Sequence, residues 1–247
     1  MAKPTWTSIR ANLLDLWRLL FPSRYTPVVY DLKYALKAAE HAERPASVDE
    51  QVWLGSYLVA GGFLRRTARI LEVACNMGHV LEKVTSLTAS EGVGVDINPQ
   101  AIHLGQQQFP NLKLRQADSA WLPFAGDDFD HVIFHHAIAH VEDPDGTLEE
   151  IFRVLKPGGT LSIITSNSRY KSRQFLRNFL NGFMPDTTVI RHYTLEQLLE
   201  RLRDVGFEIQ VWQFTGPYPA FSRQTHHRLR IWLIARKPGG EPCPPPL

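Results

Sequence analysis

The first 66 residues carry a helical pattern of hydrophobic positions. Apolar side chains recur every three or four residues from Trp6 to Leu20, with polar residues between them, which predicts an amphipathic helix that ends at Pro22. Two later stretches, at 28–43 and 48–64, are also predicted to be helical. We therefore expect 1–66 to form a helical cap or lid next to the main domain.

From about residue 69 the pattern changes to short β-rich runs that alternate with helical ones. The predicted strands are 70–73, 92–96, 112–115, 129–134 and 160–165. The predicted helices between them are 79–88, 99–108 and 147–155. This alternation predicts an α/β fold with a doubly wound parallel sheet, in a domain that covers 67–237.

Local signals support several of these boundaries. Asn98 precedes a proline, as at a helix start, and the run 156–159 (Lys-Pro-Gly-Gly) is expected to end one helix and turn into the next strand. Thr194 and Gln197 form a capping box ahead of a helix that Gly206 ends. Two final runs are predicted to be strands, at 208–214 and 229–235.

Composition narrows the class of protein. The 247 residues are 44% hydrophobic and 21% charged, which is typical of a globular domain. The formal net charge of +2 does not by itself favour nucleic-acid binding. The two cysteines cannot make a disulfide framework. We expect a reducing cytoplasmic location, no secretory signal and no transmembrane helix, and we expect the proline-rich tail at 238–247 to be disordered.

In a doubly wound sheet, ligands bind beyond the carboxyl ends of the strands, so the loop after the first strand is a candidate site. This loop, at 71–79, reads Leu-Glu-Val-Ala-Cys-Asn-Met-Gly-His. It lacks the Gly-x-Gly-x-x-Gly pattern that lets backbone approach a pyrophosphate. A dinucleotide site is therefore disfavoured.

The same loop resembles the first motif of the class I methyltransferases that use S-adenosylmethionine, in which an acidic residue precedes three glycines at alternate positions. The acidic residue is Glu72, and the glycine positions hold Ala74, Asn76 and Gly78. Alanine is small enough for close backbone approach, and asparagine adopts left-handed backbone more readily than most residues. A plain strand-to-helix turn without a ligand is the alternative explanation of this motif.

Further motifs follow in the order of the family. Asp96 ends the second predicted strand, 24 residues after Glu72, where a carboxylate can accept hydrogen bonds from ribose hydroxyls. The stretch 116–134 is similar to the segment between the family's third and fourth strands, and 148–161 is similar to its next helix and strand. The resemblance runs from about 68 to 165.

The resemblance implies a Rossmann-like sheet of seven strands with the last strand antiparallel. It implies that Asp118 accepts a hydrogen bond from the adenine amino group and that Ser119 donates to a ring nitrogen. The residues it assigns to S-adenosylmethionine binding are Glu72, Ala74, Cys75, Asn76, Gly78, Asp96, Ile97, Asp118, Ser119 and His135.

S-adenosylmethionine carries an activated methyl group, so the protein has to bind, align and desolvate the reactants rather than create the electrophile. A general base is needed only if the acceptor carries a proton. Four histidines lie in or just after the fourth predicted strand, namely His131, His135, His136 and His140, and His135 and His136 are the candidates for this base. A side chain that does no chemistry is the alternative for His135.

His136 and His140 would share a helix face, but two histidines without a third ligand do not make a metal site, and we predict none.

Substrate selection is assigned to the cap and to an insert at 166–185 that mixes four cations with four aromatic residues. This insert is typical of a lid over a ring-shaped or lipophilic small molecule, of an RNA contact, or of an amphipathic helix with a solvated basic face. The first helix is interpreted as a lid, with peripheral membrane contact as the alternative.

We therefore predict methyl transfer to a small molecule. A non-catalytic nucleotide-binding module and an RNA methyltransferase remain the alternatives, and the oligomeric state is open.

Overall fold

The computed structural model describes residues 68–168, 190–215 and 230–239. The predicted cap at 1–66, most of the insert at 166–185 and most of the tail at 238–247 lie outside these residues. The domain boundaries assigned to these segments therefore stay predictions.

Seven strands form one sheet in the order β3-β2-β1-β4-β5-β7-β6. The strands are β1 (Arg69–Val73), β2 (Glu91–Asp96), β3 (Lys113–Gln116), β4 (Phe129–His135), β5 (Leu155–Ser166), β6 (Glu208–Thr215) and β7 (Arg230–Arg236). β1 to β5 pair in parallel, whereas β7 is antiparallel to both β5 and β6. The predicted fold class, including its antiparallel last strand, is confirmed.

The four described helices begin and end close to their predicted positions: α1 (His79–Thr88), α2 (Pro99–Gln108), α3 (Pro144–Val154) and α4 (Leu195–Val205). Asn98 caps α2 by accepting from the N–H groups of Gln100 and Ala101, as its position before proline predicts. The capping box of Thr194 is present, and Gly206 ends α4 in the left-handed conformation.

Two local predictions need correction. α3 begins three residues early because Asp143 accepts from the N–H of Gly146 and so caps a helix with proline at its first position. β5 begins at Leu155, which pairs with Phe129, and the next pairing joins Thr160 to His131. The run 156–159 is thus an irregular segment inside the strand pairing, rather than a turn ahead of the strand.

The sheet is covered on both faces, which explains the continuous apolar runs of its central strands. On one face, α3 and α4 contribute Leu148, Ile151, Leu198 and Leu202 to a core that includes Leu71 and Phe134. On the other face, α1 and α2 contribute Leu81, Val84 and Ile102 to a core that includes Ile70, Ile133 and Trp232. Each such fully buried side chain contributes roughly 1.5–3 kcal/mol.

Among the described residues, no helix combines the length and the apolar character that crossing a bilayer requires.

Candidate active site

The candidate ligand-binding residues come together at the carboxyl edge of the sheet. β2, β1 and β4 are neighbours, so the ends of these strands follow one another along this edge. Asp96 ends β2, the loop 74–78 follows β1, and His135 ends β4. Since neighbouring strands lie about 4.8 Å apart, a ligand of nucleoside size can contact all three.

The loop after β1 takes left-handed backbone at all three positions where the family has glycine. The φ angles are 57° at Ala74, 52° at Asn76 and 86° at Gly78. Positive φ is costly for side chains with a Cβ, at about 1–2 kcal/mol for most residues. The loop therefore has the backbone shape of a glycine-rich turn although it contains one glycine.

Asp96 holds this loop against β2. Its side chain is buried, with 6% of the residue exposed. Oδ2 accepts from the N–H of Asn76 at 2.8 Å, and Oδ1 accepts from the N–H of Asn98 at 2.9 Å. These two contacts orient the carboxylate at the carboxyl edge of the sheet.

Glu72 lies beneath the loop rather than at its tip. The residue is buried, and its Oε2 accepts from the N–H of Leu81 in α1 at 3.0 Å. Burial raises the pKa of Glu72 to about 8, the Leu81 hydrogen bond lowers it, and the nearby charge of Asp96 raises it further. Glu72 is therefore largely a neutral carboxylic acid at pH 7, and it ties β1 to the first turn of α1.

Cys75 also lies below the surface. Its side chain packs in the core on the α1 and α2 face, and a Cβ on Gly94 would meet its Sγ at 2.8 Å. Burial raises the pKa of the thiol well above its usual value. Only the backbone of Cys75 is thus placed to approach a ligand.

The residues predicted to contact adenine differ in their availability. Ile97 is 46% exposed, and Asp118 is exposed while its Oδ1 accepts from the N–H of Ala120 at 2.9 Å. The hydroxyl of Ser119, by contrast, lies 2.9 Å from that of Thr147 in α3. An apolar surface and a carboxylate are therefore open to a ligand, whereas Ser119 has a partner within the fold.

The two candidate bases have different surroundings. His135 is half-buried at the end of β4, its Nε2 lies 3.0 Å from Ser162 Oγ, and burial lowers its pKa well below the usual value. The side chain of His136 is exposed, and its φ is 57°. Its pKa is lowered, mainly because the surrounding protein displaces water from the ring, and also because of the charges of Arg230 and His140. Both histidines are thus neutral at pH 7, as a base must be before it accepts a proton.

The predicted helix face shared by His136 and His140 is wrong. Residues 136–140 form a bend and a turn, and α3 begins only at Pro144. The described residues contain no group of three His, Cys, Asp or Glu side chains arranged to hold a metal ion.

A buried polar chain on β4 and β5 was not found from the sequence. His131 is fully buried, with Nδ1 at 2.7 Å from Thr160 Oγ1 and Nε2 at 3.2 Å from Ser162 Oγ. The signal in the sequence is weak: Thr160 and Ser162 are polar residues two apart, next to the apolar residues Leu161, Ile163 and Ile164. Their contact with β4 depends on strand register.

Comparison with known proteins identifies the class. Residues 71–163 match a family model described as a methyltransferase domain. A solved S-adenosylmethionine-dependent methyltransferase from Methanosarcina mazei superposes with a TM-score of 0.61 at 21% identity, over 73% of this chain and 97% of that one. Residues 71–163 are therefore similar to a methyltransferase domain, and the described residues have the fold of the class I methyltransferases. The resemblance to this family found in the sequence is confirmed.

Curated relatives cover a smaller part of the molecule. An uncharacterised protein from Mycobacterium bovis is 31% identical over 116 residues, which are 45% of this chain and 42% of that protein. A ubiquinone/menaquinone biosynthesis C-methyltransferase from Proteus mirabilis is 32% identical over 122 residues, 46% of this chain and 48% of the enzyme. The chain thus matches about half the length of these relatives.

Proposed function

We propose that this chain transfers a methyl group from S-adenosylmethionine to a small-molecule acceptor. The observation that carries the proposal is the pairing of Asp96 with the left-handed loop at 74–78. A buried carboxylate is hydrogen-bonded to a tight turn at the end of the neighbouring strand, and this arrangement suits a nucleoside whose sugar lies over the strand ends.

The residues fit S-adenosylmethionine group by group. Asp96 lies at the strand end where a carboxylate can accept from ribose hydroxyls, and the N–H groups of Asn76 and Asn98 hold its two oxygens in position. Ile97 offers an exposed apolar side chain for the face of the adenine, and Asp118 offers a carboxylate for its amino group. The methionine end would lie over the loop 74–78, where α1 begins at His79 and its N-terminus favours a carboxylate.

The bound sulfonium supplies the activated methyl group. The protein aligns the acceptor with the methyl carbon and excludes water, and alignment of this kind lowers a barrier by several kcal/mol, roughly 7–11 in the best intramolecular models. His135 and His136 lie at the end of β4, next to β1 in the sheet, and both are kept neutral. A neutral imidazole beside a sulfonium avoids the repulsion of two cations.

We propose a ring-shaped or lipophilic acceptor. The name of the Proteus mirabilis relative places that enzyme in quinone biosynthesis, and the mixture of cations and aromatic residues in the sequence 166–185 suits contact with such a molecule. We propose a reducing compartment, the cytoplasm, because the two cysteines of the sequence cannot form a disulfide framework.

The test is titration calorimetry with S-adenosylhomocysteine, followed by transfer of radiolabelled methyl groups from S-adenosylmethionine to a metabolite extract. We expect micromolar binding and labelling of a small organic molecule. Binding without labelling would favour a non-catalytic nucleotide-binding module, and label found only in RNA would favour an RNA methyltransferase. Absence of S-adenosylhomocysteine binding contradicts the proposal as a whole.

A further inference from the structure

Four polar side chains form a continuous chain across β4 and β5. Thr160 Oγ1 lies 2.7 Å from His131 Nδ1, His131 Nε2 lies 3.2 Å from Ser162 Oγ, and Ser162 Oγ lies 3.0 Å from His135 Nε2. His131 and Ser162 are fully buried, and Thr160 is 5% exposed. Only His135 reaches the carboxyl edge of the sheet, where the loop 74–78 and Asp96 lie.

Burying these groups is costly unless each has a partner. Their neighbours on this face are apolar residues such as Ile133, Ile164 and Trp232, and a core of apolar side chains would fill the same strand positions. These four hydrogen-bonded side chains are therefore not the most stabilising way to fill these positions. They connect directly to a histidine at the candidate site. This connection points to a role in orienting His135.

The hydrogen bonds of these four side chains determine which ring nitrogen of each histidine carries a proton. Burial lowers the pKa of His131 to about 3, so it is neutral at pH 7 and carries one ring proton. If His135 holds its proton on Nε2, that N–H donates to Ser162 Oγ, the Ser162 hydroxyl donates to His131 Nε2, and His131 Nδ1–H donates to Thr160 Oγ1. Every bond in the chain then has one donor and one acceptor, and Nδ1 of His135 carries a lone pair.

We propose that Thr160, His131 and Ser162 are positioning residues that hold His135 in the neutral tautomer with its proton on Nε2, so that Nδ1 accepts the proton released by the methyl acceptor. Among the described residues, none is hydrogen-bonded to this Nδ1. The inference rests on the proposed function and deepens it, because it assigns the proton-accepting atom of that site.

The proton and the charge balance in this step. The acceptor atom forms a bond to the methyl carbon, the carbon–sulfur bond breaks with its electron pair going to sulfur, and the acceptor's proton moves to His135 Nδ1. The positive charge leaves the sulfonium and reappears on the imidazole, so the net charge of the site does not change. Ser162 accepts from the imidazolium Nε2–H in a charge-assisted hydrogen bond, which is stronger than the bond to the neutral ring.

The experiment is ¹H–¹⁵N correlation spectroscopy of the histidine rings in the full chain with S-adenosylhomocysteine bound, with His135 assigned by the loss of its signals in His135→Gln. We expect one neutral His135 tautomer at pH 7, protonated on Nε2. Ser162→Ala should give a mixture of tautomers, whereas the conservative Ser162→Thr should retain the single one. Thr88→Val is the matched control, because it removes a buried hydroxyl that donates to Val84 in α1, away from the chain.

The same variants are then compared in the methyl transfer assay. Ser162→Ala should lower kcat about 10-fold, a fraction of the 10²–10⁴ typical of a general base, with KM for S-adenosylmethionine unchanged. A proton on Nδ1 of wild-type His135 overturns the proposal, as does an unchanged kcat in Ser162→Ala. Failure of the proposed function is a separate result, because methyl transfer would then be absent from the wild type and from Thr88→Val as well.

Discussion

Asp96 at the end of β2 accepts the backbone N–H of Asn76 at 2.8 Å, and this bond joins two neighbouring strand ends into one surface. The second oxygen accepts the N–H of Asn98, the residue that caps α2. One carboxylate thus fixes the loop after β1, the end of β2 and the start of α2. Its removal should affect both ligand binding and stability.

Asp96→Ala is expected to weaken S-adenosylhomocysteine binding by roughly 1.5–3 kcal/mol, the range for hydrogen bonds to a charged group. Calorimetry of the folded variant measures this loss. Asp127→Ala is the control, since this exposed aspartate pairs with Lys237 at 2.7 Å at a loop ahead of β4, and it should leave the affinity unchanged. Equal affinities of Asp96→Ala and the wild type would remove Asp96 from the ribose role.

The left-handed backbone at Ala74 predicts a stabilising substitution. Ala74→Gly should relieve a φ of 57° and raise the free energy of unfolding by about 0.5–1 kcal/mol, after allowance for the greater freedom of glycine in the unfolded chain. Urea unfolding measures the change. Ala101→Gly in α2 should instead destabilise the protein, because a helix disfavours glycine. Destabilisation by both substitutions would show that the Cβ of Ala74 contributes more packing than strain.

The fold was predictable from the sequence wherever its signals are local. The start of α2 follows from Asn98 and Pro99, two adjacent residues, and the end of α4 follows from Gly206. The start of β5 was not predictable in this way, because it depends on the pairing of Leu155 with Phe129 across the sheet. Hydrophobic periodicity carries no information about such a register.

The candidate site was predictable in part for the same reason. Asp96 follows directly from its position at a strand end. The positive φ of Ala74 does not, because alanine rarely adopts it and the surrounding fold imposes it here. The contact of Ser162 with His135 also arises from strand pairing, which aligns Ile133 with Ser162 and so brings the flanking side chains together.

Glu72 should make stability fall as the pH rises through the neutral range. Its pKa is raised from 4.5 to about 8 in the folded protein, so between these values the folded state retains a proton that the unfolded state loses. The free energy of unfolding therefore decreases with pH, by at most about 1.4 kcal/mol per pH unit. Glu72→Gln, whose amide oxygen can still accept from Leu81, should flatten this dependence between pH 6.5 and 8 in urea unfolding.

The slope in that range separates two explanations of the Glu72 contact. If Glu72→Gln and the wild type lose stability in parallel, the carboxyl group is already ionised in the folded protein, and its role beneath the loop is that of a charged acceptor for the N–H of Leu81.

His131 should produce the opposite slope at lower pH. Burial lowers its pKa from 6.5 to about 3, so between these values the unfolded state binds a proton that the folded state does not. Stability due to this group is therefore present above pH 6.5 and is lost as the pH falls toward 3. His131→Gln should be less stable than the wild type at pH 7, since it breaks the bonds to Thr160 and Ser162, but it should lose less on acidification from pH 6.5 to 5.

His103→Gln is the matched control for this measurement, because His103 is exposed on α2. It tests whether the loss of any histidine side chain changes the acid dependence. A His131→Gln variant that follows the wild-type acid dependence would mean that His131 accepts a proton inside the fold. The buried chain from Thr160 to His135 would then carry a positive charge at mildly acidic pH, and His131 could not remain the neutral acceptor of the Ser162 hydroxyl there.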